Sequence, residues 1–502
     1  MLLRIVFFGA LAAFSGIDVI GLVMSPRSSY KGGNDSTTGK KPDLLPFVVM
    51  AVTIMAALVF MLIEPPTGLS VAGQRVLGVA VIAIGLWGTE LLPVGVTSML
   101  TVVLLMFSKG VDTLGEALIG FAQPVPYFLI AVLTIGMAVQ KCGLAERIAR
   151  FFLRQCRGRP LALYAHLLLA FPFLTLLLPS ATVRTGILVH VYEQALSLSQ
   201  VEKESPLSRA IMMALNSINR LASTAILTGG ITPVVAAALI GGMSWSRWLV
   251  MMLIPYLSLL LIGACLIFVI YRKGFTLHMA WVPDSVSQPL TGAEIRTILI
   301  TLAASVLWLT DSFHHLNPAI PAMLAWICLL APGIGVMSWR EFERSLGWSN
   351  FFVIAASMSL ASALINSGAG SWLARLIIDT LPVSSDTPLF VAVVLLLAAP
   401  PVRLLIPNIT GFLSISIPIA MSIAMLTNLN EVVCGLLVMI AGDAVLYYPA
   451  QSASSLVVYE RGHLSAAEIF WFGCLMTIVA IFVALCVALP YWNLIGEPLA
   501  AA

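Results

Sequence analysis

The sequence predicts an all-α polytopic membrane protein built as an inverted repeat with broken helices, and three observations carry that prediction. Of 502 residues, 60% are hydrophobic and 10% charged, whereas about a quarter of a soluble domain is charged. Apolar runs of about 20 residues, enough to cross a hydrocarbon core, recur along nearly the whole chain, and none alternates with the two-residue period of a barrel strand. The runs also fall into two series that echo each other in order. No stretch is left for a separate soluble domain.

The elements follow from the N-terminus. Residues 1–41 begin with an apolar run at 3–24 behind Arg4, which fits either a signal peptide or an extra N-terminal helix. The following stretch, SPRSSYKGGNDSTTGKK, carries Arg27, Lys31, Lys40 and Lys41. That charge holds it in the cytoplasm and favours the uncleaved helix with a cytoplasmic loop. Residues 42–73 supply a lead transmembrane helix. The first copy, 74–273, has runs near 76–107 (two spans), 118–140, 161–199 and 209–242 (both broken), and 247–271. A polar connector covers 274–296. The second copy, 297–502, has runs near 297–310, 316–337, 350–365, 388–426 and 430–457 (both broken), and 466–490.

Three stretches establish the duplication. LWGTELLP at 86–93 answers LWLTDSFH at 307–314. IGMAVQKCGLAERIARFF at 135–152 answers MSLASALINSGAGSWLARLI at 358–377, with Gly143 opposite Gly368. LPSATVRTGILVHV at 178–191 answers IPNITGFLSISIPI at 406–419, with Pro179 opposite Pro407. Charge then sets their relative orientation. Residues 141–160 hold six basic side chains (Lys141, Arg147, Arg150, Arg154, Arg157, Arg159) against Glu146, a net +5. The matching 366–387 holds Arg375 against Asp379 and Asp386, a net −1. The positive-inside rule puts the first loop in the cytoplasm and the second outside. That is an inverted repeat, an architecture whose sites lie at mid-membrane between the copies.

The polar residues inside apolar runs cluster at the breaks. Proline removes a backbone donor and disfavours helix in the residue before it, and in each copy a polar cluster follows such a proline: PSATVRT and PNITG. Non-helical backbone at that depth persists only against protein or a cavity. Its free amides attract anions and its free carbonyls can hold a cation. Ser180, Thr182, Thr185, Asn408 and Thr410 are therefore the candidate substrate contacts. A lone cluster would be explained by hydroxyls bonding back to helix carbonyls; two at equivalent positions point to a site.

Arg184 is the sharpest signal, because a guanidinium inside a bilayer costs roughly 2.5–3.5 kcal/mol on insertion scales and must face a cavity or a partner. Arg403 and Arg220 are similar, or snorkel to an interface. Together they suit an anion, since a guanidinium grips a carboxylate or sulfate with two prongs. Glu90, Asp311, Asp443 and Glu460 are the acids nearest the spans; paired carboxylates would suit proton coupling, but matched Glu90 and Asp311 read rather as helix caps or arginine partners. His166 and His190 read as packed residues. The seven scattered cysteines lack a disulfide or metal spacing. No motif of a nucleotide-binding or hydrolytic enzyme occurs in a suitable context, and no basic tail suggests nucleic acid.

With these residues in view, the chain resembles the divalent anion:sodium symporter family, the di- and tricarboxylate carriers. The resemblance runs from about 74 to 495 and rests on LWGTELLPVGVTSML, GFAQPVPYFLIAVLTIGMAVQKCGLAERIA, the broken-helix motifs, STAILTGGITPVVAAALI, and VVYERGHLSAAEIFWFG with YWNLIG. It implies two re-entrant hairpins, expected near 113–142 and 340–367, and a homodimer in which a transport domain moves against a scaffold. It also implies a Ser-Asn-Thr signature per copy that touches substrate carboxylates and neighbouring sodium ions. Carried onto this chain, the candidate sodium ligands are Ser180, Thr182, Gly230 and Asn408. The chain departs from the signature: the first copy reads Ser180-Ala181-Thr182, the second Asn408-Ile409-Thr410. Thr232-Pro233 match the family's Thr-Pro element, while YPAQSAS replaces it in the second copy and leaves Gln451 and Ser452 as candidates.

The expected activity is secondary transport of a C4-dicarboxylate or tricarboxylate by alternating access, coupled to sodium or to a counter-anion, in a bacterial inner membrane. Arg184 offers a reason for the departures, since a fixed positive charge can neutralise a substrate carboxylate in place of one sodium ion. The competing readings are a sulfate or organosulfonate carrier of the same fold and a membrane sensor that has lost transport.

Overall fold

The computed structural model describes residues 45–89, 91–178, 180–276, 289–380 and 387–500. The expected extra helix and loop at 1–41, most of the connector, and the positions of Glu90 and Pro179 lie outside them. Among the described residues the fold is helical throughout, and nine helices are long and apolar enough to span a membrane. Their outer faces are dressed for lipid: on the helix Trp245–Ile270, Val250, Leu253, Leu257 and Leu261 are all exposed. The protein is a multi-pass membrane protein.

The lead helix α1 (Leu45–Leu62) packs on α2 (Val71–Thr89), which packs on α3 (Val94–Phe107). A four-residue helix capped by Thr113, a 3₁₀ turn (Ile119–Ala122) and the span α4 (Pro124–Lys141) follow. Gly143, in the left-handed region at φ 82°, turns the chain into α5 (Leu144–Arg154). This helix is amphipathic: Leu144, Ala145, Ala149 and Leu153 are buried, while Arg147, Arg150 and Arg154 share the other face. Next come α6 (Pro160–Leu177) and α7 (Ala181–Leu198), then a helix interrupted by a π turn, α8 (Pro206–Met213) and α9 (Asn219–Thr224). Beyond an unwound stretch, α10 (Ile231–Ile240) and α11 (Trp245–Ile270) end the first copy.

The second copy repeats this order: α12 (Gly292–Leu309), α13 (Ala319–Leu330), the short α14 (Trp339–Ser345), α15 (Trp348–Asn366), α16 (Ala369–Thr380), α17 (Pro388–Leu405), α18 (Ile409–Leu426), α19 (Glu431–Asp443), α20 (Ala453–Tyr459) and α21 (Ala466–Val483). Details recur with the order. Gly368 has φ 73° opposite Gly143. Thr113 and Ser338 cap equivalent short helices, and Ser244 and Ser465 cap equivalent long ones. Pro172 and Pro400 sit at matching places inside α6 and α17. Asp311 caps α11 by accepting the Ser246 amide (3.1 Å), the first of the two roles read for it from sequence.

The chain reverses inside α6–α7 rather than at 113–142, which corrects the expected hairpin position. The start of α6 and the start of α8 both meet the turn Arg272–Thr276: the Tyr164 ring lies 5.2 Å from that of Phe275, and Gly274 abuts the Leu207 backbone. A chain that enters at Pro160 is thus back at the same end by Pro206. Each arm has 18 residues, about 27 Å of helix. Leu178 (φ −121°, ψ 87°) lies at the apex before proline, and Ile406 (φ −107°, ψ 95°) repeats it between the equal 18-residue arms α17 and α18. Both have been driven out of helix by the proline that follows. Residues 113–142 instead hold the short helix, the 3₁₀ turn and a full-length span; 340–367 hold α14 and the span α15.

The copies interlock crosswise. The unwound helix of each sends its far half against the second hairpin arm of the other: α10 packs on α18, and α20 on α7. The hairpin geometry makes a topological prediction. On a background without native cysteines, Gln155→Cys and Gln200→Cys should react with an impermeant maleimide from one side of the membrane. Thr380→Cys and Asn428→Cys, at the ends of the second hairpin unit, should react only from the other. Labelling of Gln155→Cys and Gln200→Cys from opposite sides would refute the first hairpin.

Candidate substrate site

The two hairpin tips and the two unwound helices are joined by one run of buried polar contacts. Its first segment starts at the end of α6, where the chain leaves helix and its last carbonyls lack amide partners. Arg184, one turn into α7 and fully buried, reaches back and donates from Nη1 to the Leu178 carbonyl (2.9 Å). Its Nε donates to Asn219 Oδ1 (2.6 Å), and Nη2 donates to the Asn219 carbonyl (3.0 Å) and to Ser223 Oγ. Asn219 Nδ2 in turn donates to Thr185 Oγ1 (2.8 Å). The guanidinium is held by neutral oxygens, and it fastens the first tip to α9.

The second tip is fastened the same way by a different residue. Arg403, fully buried one turn before the break, donates from Nη1 to the carbonyls of Ile406 and Pro407 (both 2.6 Å) and from Nε to Gly442 (3.2 Å). Its Nη2 has no partner among the described residues. Gln451 closes the segment: its Oε1 accepts the Tyr447 amide (2.7 Å) and its Nε2 donates to the Arg403 carbonyl (3.1 Å). A cation at a helix C-terminus also opposes the helix dipole.

An ion pair joins the two halves. Arg220 Nη1 lies 3.4 Å from Asp443 Oδ1, and Nη2 donates to the carbonyls of Asp443 and of Val445 (3.2 Å). Asp443, fully buried, also accepts from Thr224 Oγ1 (2.7 Å) and Tyr256 OH (3.0 Å). Beside it Ser455 Oγ donates to Asn216 Oδ1 (2.6 Å), a second bond across the repeat. The run thus holds three buried guanidiniums, Arg184, Arg220 and Arg403, and one buried carboxylate, Asp443, a net charge of +2.

The residues singled out from sequence divide into two sets. Arg184, Thr185, Pro233, Thr410 and Gln451 are buried, and Arg184, Thr185 and Gln451 have protein partners. Ser180, Thr182, Thr232, Asn408 and Ser452 are half-buried at the breaks. Ser180 Oγ caps α7 through the Val183 amide (3.3 Å), and Asn408 Oδ1 caps α18 through the amides of Thr410 and Gly411 (2.9 and 3.3 Å). Gly230 is extended at the start of α10, while a Cβ at its neighbour Gly229 would overlap the Ser223 carbonyl. Sequence reasoning passed over Asn216, Asn219 and Ser223 and set Asp443 aside. Their signal was the run NSINRLAST, six polar residues inside an otherwise apolar span.

The folded chain is a polytopic helical transporter, with paired broken elements and a positively charged centre suited to anions. It belongs to the family described as the sodium:sulfate symporter transmembrane region, which matches residues 46–497. This agrees with the divalent anion:sodium symporter resemblance read from the motifs; the protein is a transporter and not an enzyme. It is 22% identical over 476 residues to a membrane protein of Cupriavidus necator, covering 88% of this chain and 92% of that one. It is 22% identical over 422 residues to an uncharacterized transporter of Haemophilus influenzae (81% and 89% covered). It is 24% identical over 393 residues to the L-tartrate/succinate antiporter of Escherichia coli (74% and 79% covered).

Two stability predictions follow from the contacts. Removing one partner of a buried ion pair costs about 3–5 kcal/mol because the other charge is stranded. Asp443→Ala should therefore melt far below the parent in a tryptophan-fluorescence scan, and Asp443→Ala with Arg220→Met should recover part of the loss. Gly229→Ala should lower stability by about 1–3 kcal/mol through backbone overlap, whereas Gly230→Ala, whose Cβ has ordinary room, should melt close to the parent.

Proposed function

We propose that the chain is a secondary carrier of small divalent organic anions, C4-dicarboxylates first and tricarboxylates next, working by alternating access and coupled to a counter-anion rather than to sodium. The observation that carries this reading is the built-in guanidinium at each hairpin tip. A sodium ion there would need free carbonyl and hydroxyl oxygens. The Leu178, Ile406 and Pro407 carbonyls already accept from Arg184 and Arg403, and Ser180 Oγ and Asn408 Oδ1 accept helix amides. A cation added beside those arginines would also meet like charge in a poorly screened interior. Of the candidate sodium ligands Ser180, Thr182, Gly230 and Asn408, the side-chain oxygens of Ser180 and Asn408 are thus already engaged, which leaves Thr182 and Gly230 as an incomplete set for the ion.

The net +2 of the centre suits a dianion, which would cross with its charge balanced. Substrate oxygens would meet the half-buried Thr182, Thr232 and Ser452 hydroxyls, the Asn408 side-chain amide, and the free amides at the starts of α7 and α18. The L-tartrate/succinate antiporter among the relatives supports exchange of four-carbon diacids. The sulfate in the family's description favours a second reading, a sulfate or organosulfonate carrier, since the same fixed charges would accept those oxyanions. The functional unit would be a homodimer in a bacterial inner membrane.

Proteoliposome uptake of labelled succinate tests the proposal. Uptake should require unlabelled dicarboxylate inside and ignore an imposed sodium gradient. Arg184→Gln, made in protein that still melts cooperatively, should lower exchange about tenfold or more or make it sodium-dependent. Sodium-driven uptake without internal anion would overturn the coupling, and competition by sulfate but not succinate would favour the second reading.

A further inference from the structure

The end of the molecule at which the positive loop begins carries a second feature, remote from the breaks. Lys141, at the end of α4 and the start of the positive loop, pairs with Glu341 of α14 (2.7 Å). The pair fixes the short helix at that face. Beneath it lies a cavity of about 210 Å³ whose walls are almost wholly carbon, lined chiefly by Tyr127, Trp326, Trp339, Phe342, Trp348 and Phe351. The rings form a continuous edge-on series: Trp326–Phe342 at 5.6 Å, Phe342–Trp348 at 6.2 Å, Trp348–Phe351 at 6.4 Å and Tyr127–Phe351 at 5.6 Å. Phe342 and Trp326 form the inner wall, while Trp339 is 55% and Trp348 39% exposed.

Charge on α14 indicates what occupies the cleft. Trp339 and Phe342, three residues apart, turn toward it, and Arg340 and Arg344, four apart and so on one face, are exposed. Neither arginine has an ion pair or hydrogen bond among the described residues. With Glu341 committed to Lys141, the exposed charges of α14 are these two arginines and Glu343, a net +1. An apolar aromatic cleft with free guanidiniums at its rim matches a molecule with a hydrocarbon chain and an anionic head. A neutral or zwitterionic lipid lacks the net charge, and a soluble dicarboxylate has nothing to place against the rings.

We propose that this cleft is a binding site for an anionic phospholipid, with one acyl chain among the aromatic rings and the phosphate on Arg340 and Arg344. Guanidinium holds phosphate through paired N–H donors, and basic sites beside transmembrane helices select anionic head groups in this way. The lipid would brace α14 against α4 and α15. The inference is independent of which anion is carried.

Photo-crosslinking tests the site. The full-length protein in mixed vesicles of phosphatidylethanolamine and phosphatidylglycerol is exposed to phosphatidylglycerol bearing a diazirine in its acyl chain, irradiated, and mapped by peptide mass spectrometry. Adducts should concentrate in peptides containing residues 323–351 and be displaced by unlabelled phosphatidylglycerol but not by phosphatidylcholine. Arg340→Gln with Arg344→Gln should reduce them about tenfold, and both side chains are exposed, so the variant should melt with the parent. Trp339→Ala, also at an exposed position, should reduce them independently of head-group charge. Adducts spread evenly over the lipid-facing helices, equal displacement by phosphatidylcholine, or labelling unchanged in the arginine variant would each overturn the proposal.

Discussion

The ion pair between Arg220 and Asp443 is the constraint on which the rest of the arrangement depends. It joins the unwound helix of one copy to that of the other, where water cannot take either charge if its partner leaves. Stranding an ion in such surroundings is expensive, so the two helix ends are held together. Thr224 and Tyr256 supply the remaining bonds that a buried carboxylate needs. Everything else at the centre is referred to this point. Asn219 and Ser223, on the same helix as Arg220, hold Arg184 and so the first tip; Gly442, adjoining Asp443, holds Arg403 and so the second.

The repeat meets one physical need at each tip through two different residues. Each first arm ends at a proline break whose carbonyl-bearing residues are buried in protein, and each receives a buried guanidinium. In the first copy the arginine lies after the break, in the second before it. Offset by the repeat, Arg403 falls opposite Thr175, whose hydroxyl only bonds back to its own helix (2.7 Å to Phe171). Symmetry is kept in the backbone and given up in the side chains. With fixed positive charge in both tips and a single carboxylate between the two unwound helices, the centre is biased toward anions.

Much of this was legible in the sequence because membrane helices announce themselves. Apolar length marks a span, proline within it marks a break, and loop charge marks the side; the breaks at 178–180 and 406–408 fell where those rules put them. The hairpins did not. A full-length apolar run followed by another reads the same whether the chain crosses the bilayer or turns back at its middle. Only the meeting of Tyr164 with Phe275 and of Gly274 with Leu207 separates the two.

The site divides along the same line. The sequence by itself determined that the chain is a duplicated, broken-helix membrane protein with costly arginines at its centre, since burial in lipid penalises each polar residue regardless of its neighbours. Only the tertiary structure decided what those arginines hold. Arg184 meets Asn219, 35 residues away, and Arg220 meets Asp443, 223 residues away. The first pairing forms when a hairpin packs on the unwound helix of its own copy and the second when the two copies interlock, and no local rule of spacing or propensity contains either.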